Sequence, residues 1–333
     1  MREKVLSVAL LFMVLTLAAG CSPRVSLFGD SSRDPLKERV LEGKGRGKVL
    51  ALPVSGFIST GDRGVVMKRP GMVQELAAVL RKAAKDRDIK AVVLLVDSPG
   101  GTVAGTDMLY REIEAFRAAT GAKAVAQAMT VCASGGYYLA LSADEIFATP
   151  ASLVGSVGTL FISPKVSGLM DKIGVGAEVT KSGSLKDMGS PFRPSTEEEK
   201  RLAREMIGQM NALFLKTLDS RRNLAPSARA EVAEAGVYTG VKAVELGVAD
   251  RVGYPRDAFA RAKQLAGLPE DAKVVVYRRS RTPDDTWYNP ATAAMENGSP
   301  GGAALSLGLD SLGLPAQAGF YYLWPQALPE AAR

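Results

Sequence analysis

Residues 91–101 read AVVLLVDSPGG, and this stretch decides the fold class. The unbroken apolar, valine-rich run 91–96 predicts a strand that is buried on both faces, as strands of parallel sheets are. A Pro and two glycines end the strand, and the pattern then predicts a helix over 106–119. The carboxyl end of such a strand is where open α/β folds bind their ligands.

The same alternation of strand and helix continues on both sides of this stretch. Strands are predicted at 49–58, 122–128, 145–148, 153–162 and 177–181, and helices at 72–85 and 134–141. This order predicts an α/β fold, a parallel sheet with flanking helices. A long helix is predicted from Ser195, with an apolar stripe that includes Leu202, Met206, Met210 and Phe214. Shorter helical pieces follow at 225–235 and 240–246.

The composition limits the possible chemistry. The 333-residue chain contains no histidine, which excludes Ser-His-Asp and Cys-His catalysis and the usual zinc sites. Two cysteines cannot form a Cys-only metal site, so we expect no metal and no cofactor. The net charge of +7 is spread among acidic residues, and no basic patch with interleaved aromatic residues predicts nucleic-acid binding.

The N-terminus is typical of an export signal. Residues 1–20 combine Arg2 and Lys4 with an apolar run that is too short to span a bilayer comfortably, and Cys21 follows at once. Residues 17–21, LAAGC, resemble the lipobox of bacterial lipoproteins, although Ala18 stands where a larger aliphatic residue is usual. We expect Cys21 to carry lipid and residues 21–46 to form a tether that holds the protein on a membrane, facing the periplasm or the cell exterior. The alternative is an ordinary cleaved signal that leaves Cys21 as a free thiol.

Two glycine pairs stand at the ends of predicted strands. Gly100 and Gly101 follow Pro99, and Gly135 and Gly136 follow Ser134. Backbone N–H groups at such turns point outward and can stabilise a developing negative charge. Glycine also allows a peptide substrate to approach closely.

Five stretches together resemble the signal peptide peptidase A family of the Clp-protease and crotonase superfamily. They are residues 97–101 (DSPGG), 133–138 (ASGGYY), 155–158 (GSVG), 181–187 (KSGSLKD) and 238–250 (YTGVKAVELGVAD). The resemblance covers about residues 48–255, and it implies a Clp/crotonase-like protease domain over 47–278.

The resemblance also implies a role for each matching position. Ser134 is the expected nucleophile, Lys186 the general base and Ser156 the residue that orients this lysine. Gly101 and Gly135 are the expected oxyanion-hole donors. Cys132 stands where the family carries a small residue, so we interpret it as core packing.

General chemistry supports a lysine base independently. A serine needs a neighbouring base to become a nucleophile, and without histidine a neutral lysine is the best remaining choice. The pKa of a lysine is ordinarily about 10.4, and burial in an apolar site can lower it into a useful range. Lys181 remains an alternative to Lys186.

The resemblance implies a serine endopeptidase that acts on extended hydrophobic peptides such as released signal peptides. A crotonase-type enzyme acting on acyl thioesters and a catalytically silent lipoprotein scaffold remain alternatives. Family members of about twice this length draw their serine and lysine from two related halves, so we expect a homo-oligomeric ring. Candidate interfaces are the stripe of the 195–220 helix and the apolar residues 320–324 at the end of an otherwise irregular tail, 279–333.

Overall fold

The computed structural model describes residues 34–62, 70–290 and 318–327. The predicted signal peptide and Cys21 lie outside the described residues. Among the helices of the described part, none has the length and hydropathy that crossing a bilayer requires.

The described residues form strands and helices in the following order. The strands are β1 (Lys37–Glu42), β2 (Gly45–Ser55), β3 (Ile89–Ser98), β4 (Gly100–Thr102), β5 (Lys123–Ala133), β6 (Glu145–Ala148), β7 (Leu153–Gly155), β8 (Leu160–Ile162), β9 (Val237–Thr239), β10 (Arg251–Val252), β11 (Ala272–Arg278) and β12 (Gly319–Leu323). The helices are α1 (Met72–Ala83), α2 (Val103–Thr120), α3 (Gly135–Ala140), α4 (Ser167–Ile173), α5 (Glu197–Arg221), α6 (Pro226–Ala233), α7 (Gly240–Glu245) and α8 (Pro255–Leu265).

The main sheet has the strand order β1-β11-β2-β3-β5-β6-β10, and β7 and β9 extend it beside the end of β5. All pairs are parallel except β1 with β11 and β7 with β9. The predicted parallel sheet with flanking helices is therefore confirmed.

Strand β3 shows why this sheet needs cover on both faces. Val92, Leu94 and Val96 pack in one core with α1, α2 and α3, whereas the alternating residues Ala91, Val93 and Leu95 pack in a second core with α8. All six side chains are buried. Burial of each Val or Leu side chain stabilises the fold by about 1.5–3 kcal/mol.

A second, antiparallel sheet has the order β4-β12-β8. Its central strand comes from the predicted irregular tail, so for residues 318–327 that expectation was wrong. Tyr322 and Leu323 are buried against the rest of their own chain. The cluster that we expected at a subunit interface is thus covered within the chain, because its apolar side chains and its backbone both find partners there.

Three other expectations also differ from the structure. The described part of the predicted tether contains β1, which pairs with β11 and gives that strand a partner on its outer edge. The predicted strand 153–162 is interrupted after Gly155, because Ser156 has a positive φ of 53°. No strand forms at 177–181, where every side chain is exposed and no neighbouring strand provides backbone partners.

Candidate active site

Ser134 lies at the turn from β5 to α3. Its backbone has φ 52° and ψ −114°, and its N–H donates to the carbonyl of Gly155 over 2.7 Å. A non-glycine residue with such dihedrals costs about 1–3 kcal/mol and persists only where its surroundings enforce it. The side chain is fully buried, and its Oγ has no hydrogen-bond partner among the described residues. An unpaired buried hydroxyl on a strained turn is typical of a functional residue.

The two predicted glycine pairs meet beside Ser134. A methyl group on Gly135 would lie 3.1 Å from the Cα of Gly100 and 3.2 Å from the N of Gly101. The first helical bond of α3 runs from the N–H of Tyr138 to the carbonyl of Ser134, so the N–H of Gly135 precedes the helical hydrogen bonds. Gly101 and Gly135 therefore place backbone donors near one another, as an oxyanion hole requires.

Ser98 and Asp97 fix the shape of the first glycine turn. The Oγ of Ser98 donates to the carbonyl of Gly56 over 2.7 Å and accepts from the N–H of Gly100. The carboxylate of Asp97 accepts from the N–H of Val131 on β5. These polar residues of the DSPGG stretch hold the turn against the strands on either side of it.

Ser156 is brought to the same place by the pairing of β5 with β7, in which Ala133 lies opposite Gly155. The N–H of Ser156 donates to the carbonyl of Gly236 over 2.7 Å, and the side chain is almost fully buried. The structure thus brings together Ser134, Ser156, Gly101 and Gly135.

Lys186 is not joined to this group within the chain. Its side chain is exposed, and Ser134 Oγ has no hydrogen-bond partner among the described residues, Lys186 included. Lys181, the alternative base, instead forms an ion pair of 2.6 Å with Asp187. Among the described residues, Lys181 has an ion pair with a carboxylate and Lys186 has none.

The segment that carries Lys186 is attached to the start of α5. The guanidinium of Arg193 bonds both Asp187 and Glu199, and its hydrogen bonds lower the pKa of both carboxyls, that of Glu199 to about 2. Glu199 also completes the capping box of α5 with Thr196. The predicted capping region of the long helix is thereby confirmed, and the ion pairs fix the backbone just after Lys186.

Two further residues near Ser134 have contrasting roles. Cys132 is fully buried, and burial raises the pKa of its thiol, so the structure agrees with core packing rather than a second nucleophile.

Thr106 was not singled out from the sequence. Its buried Oγ1 has no partner among the described residues and lies 2.7 Å from where a methyl group on Gly135 would stand. Its place soon after the first glycine pair is the only signal in the sequence that could have found it.

Comparison with known proteins identifies the family. Residues 117–269 match the model of peptidase family S49. A candidate signal peptide peptidase SppA of Enterococcus faecium is 33% identical over 252 residues, which cover 75% of this chain and 73% of that protein. The chloroplastic serine protease SPPA of Arabidopsis thaliana is 31% identical over 68% of this chain, which spans 33% of that longer protein.

A solved structure of a membrane-bound stomatin-specific protease with a substrate peptide covers 73% of this chain and 96% of its own, with a TM-score of 0.41 and 13% identity. The sequence relatives and the sheet topology together confirm the predicted Clp/crotonase-like fold. The chain belongs to peptidase family S49 and is a serine protease of the signal peptide peptidase A type.

Proposed function

We propose that this protein is a serine endopeptidase that uses Ser134 as nucleophile and Lys186 as general base. Its substrates are extended hydrophobic peptides, such as released signal peptides, at a membrane surface. The observation that carries the proposal is the buried, unpartnered Oγ of Ser134 beside the backbone of Gly101 and Gly135.

The geometry suits acyl transfer. The neutral amine of Lys186 removes the proton of Ser134 as Oγ attacks the peptide carbonyl carbon. The N–H groups of Gly101 and Gly135 stabilise the oxyanion, and the lysine then returns the proton to the leaving amine. Water then takes the place of the amine. The lysine removes a proton from the water as it attacks the acyl carbon, and it returns the proton to Oγ as Ser134 leaves. Ser156, held next to Ser134, accepts a hydrogen bond from the lysine and orients it.

The lysine in each site comes from a neighbouring subunit of a homo-oligomeric ring. Within one chain Lys186 is exposed and is not bonded to Ser134. The segment around it carries an unusual set of exposed apolar side chains, the surface that we call the 169–192 patch: Leu169, Ile173, Val175, Val179, Leu185 and Phe192. Exposed apolar clusters of this kind mark interaction sites, and burying this one would also remove the lysine from water.

Lipidation of Cys21 would place the ring at the membrane. The lipobox-like stretch 17–21 supports this part of the proposal. Mass spectrometry of the N-terminal peptide from membrane-purified protein tests it, since an unmodified Cys21 would contradict anchoring by lipid.

Single substitutions test the dyad. Ser134→Ala and Lys186→Ala should each lower kcat/KM for an apolar peptide by a factor on the order of 10⁴ or more, because dyad members act as a unit. Lys181→Ala is the matched control and should keep most of the activity. Unaltered hydrolysis in Ser134→Ala would show that Ser134 is not the nucleophile and would contradict the proposal, and an inactive Lys181→Ala beside an active Lys186→Ala would move the base to Lys181. If the unaltered protein hydrolyses no peptide, the silent scaffold or thioester alternatives are favoured.

A further inference from the structure

Thr106 carries a buried hydroxyl beside the predicted oxyanion hole. The residue is fully buried, and its Oγ1 has no hydrogen-bond partner among the described residues. Such a hydroxyl destabilises the fold, because it has lost its bonds to water and has gained none in the protein. Native structures contain few groups of this kind, and each one calls for an explanation.

The hydroxyl also leaves unused the acceptor that its own helix offers. A threonine in a helix can donate to the carbonyl four residues earlier. Thr120, at the other end of α2, donates in this way to the carbonyl of Phe116 over 2.7 Å. The corresponding acceptor for Thr106 is the carbonyl of Thr102, and no hydrogen bond joins the two. The hydroxyl of Thr106 is therefore free to form another interaction.

The hydroxyl is turned towards the two backbone donors of the site. A methyl group on Gly135 would lie 2.7 Å from Oγ1 of Thr106 and 3.2 Å from the N of Gly101. The two atoms thus lie on the same side of Gly135, and Oγ1 comes this close because glycine has no Cβ. Helix α2 brings Thr106 to this place because the helix begins at Val103, directly after the strand that contains Gly101.

An unpartnered hydroxyl suits a place where charge develops only during the reaction. The hydroxyl hydrogen rotates to suit its surroundings, so it can turn towards a negative charge without breaking another hydrogen bond. Its dipole also acts more strongly in a buried site than in water. Only interactions that are stronger in the transition state than in the ground state raise kcat, and this hydroxyl makes none in the ground state.

We infer that Thr106 is a third contributor to the oxyanion hole, through a hydroxyl dipole that turns towards the charge on the substrate oxygen. This inference rests on the proposed function, because the oxyanion forms only if Ser134 attacks a carbonyl carbon. The N–H groups of Gly101 and Gly135 bind the oxyanion, and the dipole of Thr106 adds to their effect from beside Gly135. The hydroxyl thus raises the rate of acyl transfer and leaves the affinity for the peptide unchanged.

Substitutions at Thr106 separate the hydroxyl from the shape of the side chain. Thr106→Val keeps the shape and removes the hydroxyl, so it should lower kcat for an apolar peptide by about tenfold or more, with KM nearly unchanged. Thr106→Ser keeps the hydroxyl and should retain most of the activity. Thr120→Val is the matched control, because it removes a hydroxyl from the same helix that is already bonded to Phe116, and it should leave kcat unchanged.

A peptide boronate tests the same interaction without turnover. Its boron becomes a negatively charged tetrahedron when Oγ of Ser134 bonds to it and the hydroxyl proton passes to Lys186. The adduct resembles the transition state, so Thr106→Val should weaken boronate binding by the same factor by which it lowers kcat/KM. Binding of the uncleaved peptide to the Ser134→Ala protein should not change when Thr106→Val is added, because no charge develops there.

The outcomes separate this inference from the proposed function. Hydrolysis by Ser134→Ala would overturn both, whereas an unaltered kcat in Thr106→Val beside an inactive Ser134→Ala would overturn the inference alone. Equal losses in Thr106→Val and Thr106→Ser would also overturn it, because they would assign the effect to packing. If Thr106→Val does not fold, as thermal melting would show, the comparison of Thr106→Ser with Thr106→Ala decides. These two differ only in the hydroxyl, and the inference requires the lower kcat in Thr106→Ala.

Discussion

Ser134 and Ser156 share a positive φ, 52° and 53°, at the ends of the paired strands β5 and β7. The hydrogen bonds of their N–H groups to Gly155 and Gly236 hold both turns in place. Glycine would adopt these turns with less strain, so the serines are retained at a cost in stability. This combination supports roles for both hydroxyls.

Two substitutions at Ser156 separate strain from chemistry. Ser156→Ala removes the hydroxyl and keeps the strain, whereas Ser156→Gly removes both. The free energy of unfolding of the glycine variant should be about 1 kcal/mol higher than that of the alanine variant, because a positive φ disfavours a Cβ. Both should lose activity to the same extent if the hydroxyl orients the lysine. Chemical denaturation and kcat/KM check this, and an active Ser156→Ala would contradict the orienting role.

The buried hydroxyl of Thr106 gives a second prediction at this scale. A buried polar group without a partner destabilises the fold by about 1–3 kcal/mol, and valine has nearly the same shape as threonine. Thr106→Val should therefore raise the free energy of unfolding by about 1 kcal/mol. Thr106→Ser, which keeps the hydroxyl, is the control and should show no gain. A destabilised Thr106→Val in thermal melts would mean that the hydroxyl is satisfied in solution.

The ion pairs between the Lys186 segment and α5 predict a specific sensitivity to acid. Interaction with Arg193 lowers the pKa of Glu199 from 4.5 to about 2. A lowered pKa contributes stability that is present above the ordinary value and is lost as the pH falls from about 4.5 towards 2. Glu199→Gln should lower the free energy of unfolding at pH 7 by about 2 kcal/mol, since hydrogen bonds to charged groups contribute about that much.

The same variant should show a weaker loss of stability between pH 4.5 and 2 than the unaltered protein. Glu197→Gln is the matched control, because Glu197 lies in the same helical turn but is exposed and, among the residues that the structure describes, pairs with Lys200 alone. Its acid transition should stay close to that of the unaltered protein. An identical acid transition in Glu199→Gln would contradict a role for this ion pair in holding the segment.

Elements that depend on local pattern could be predicted from the sequence, and those that depend on distant partners could not. Strand β3 and helix α1 have patterns that only one structure satisfies, a double-sided apolar run and a one-sided apolar stripe. β1 is polar and β12 is isolated in the sequence. β1 forms because it pairs with β11, and β12 forms because it pairs with β4, a strand far away along the chain. Residues 177–181 have a strand-like pattern but no such edge.

The residues of the candidate site also differ in whether the sequence alone could point to them. Ser134, Gly101 and Gly135 lie in short motifs, so their resemblance to a known family was enough to single them out as candidates, and their catalytic roles stay predictions. The position of Thr106 depends on how α2 packs beside Gly135. Among the described residues, Lys186 makes no hydrogen bond to Ser134, so its place in the site stays a prediction.

At the scale of the whole molecule, the 169–192 patch is the surface that most needs a partner. Ile173, with 63% of its surface exposed, should be buried in a ring. Ile173→Asp should shift the protein towards monomers in sedimentation velocity and lower kcat/KM in parallel, because a charge in an apolar interface is costly. Met108→Asp, a similar change at an exposed residue of α2, should do neither. A fully active monomeric Ile173→Asp would contradict a shared site.

Complementation tests most directly whether one subunit supplies the serine and its neighbour the lysine. Ser134→Ala and Lys186→Ala proteins, each inactive, are mixed in equal amounts under conditions that allow subunits to exchange. In a ring with heterologous contacts, random mixing gives roughly a quarter of the interfaces both an intact serine and an intact lysine. Activity should then return to about a quarter of the unaltered value. A mixture of Lys186→Ala with the Ser134→Ala/Lys186→Ala double variant can form no intact pair and should stay inactive. Subunits that carry two different fluorophores report exchange by energy transfer. If energy transfer shows complete exchange and no activity returns, both residues must act within one chain, and the Lys186 segment would have to move to reach Ser134.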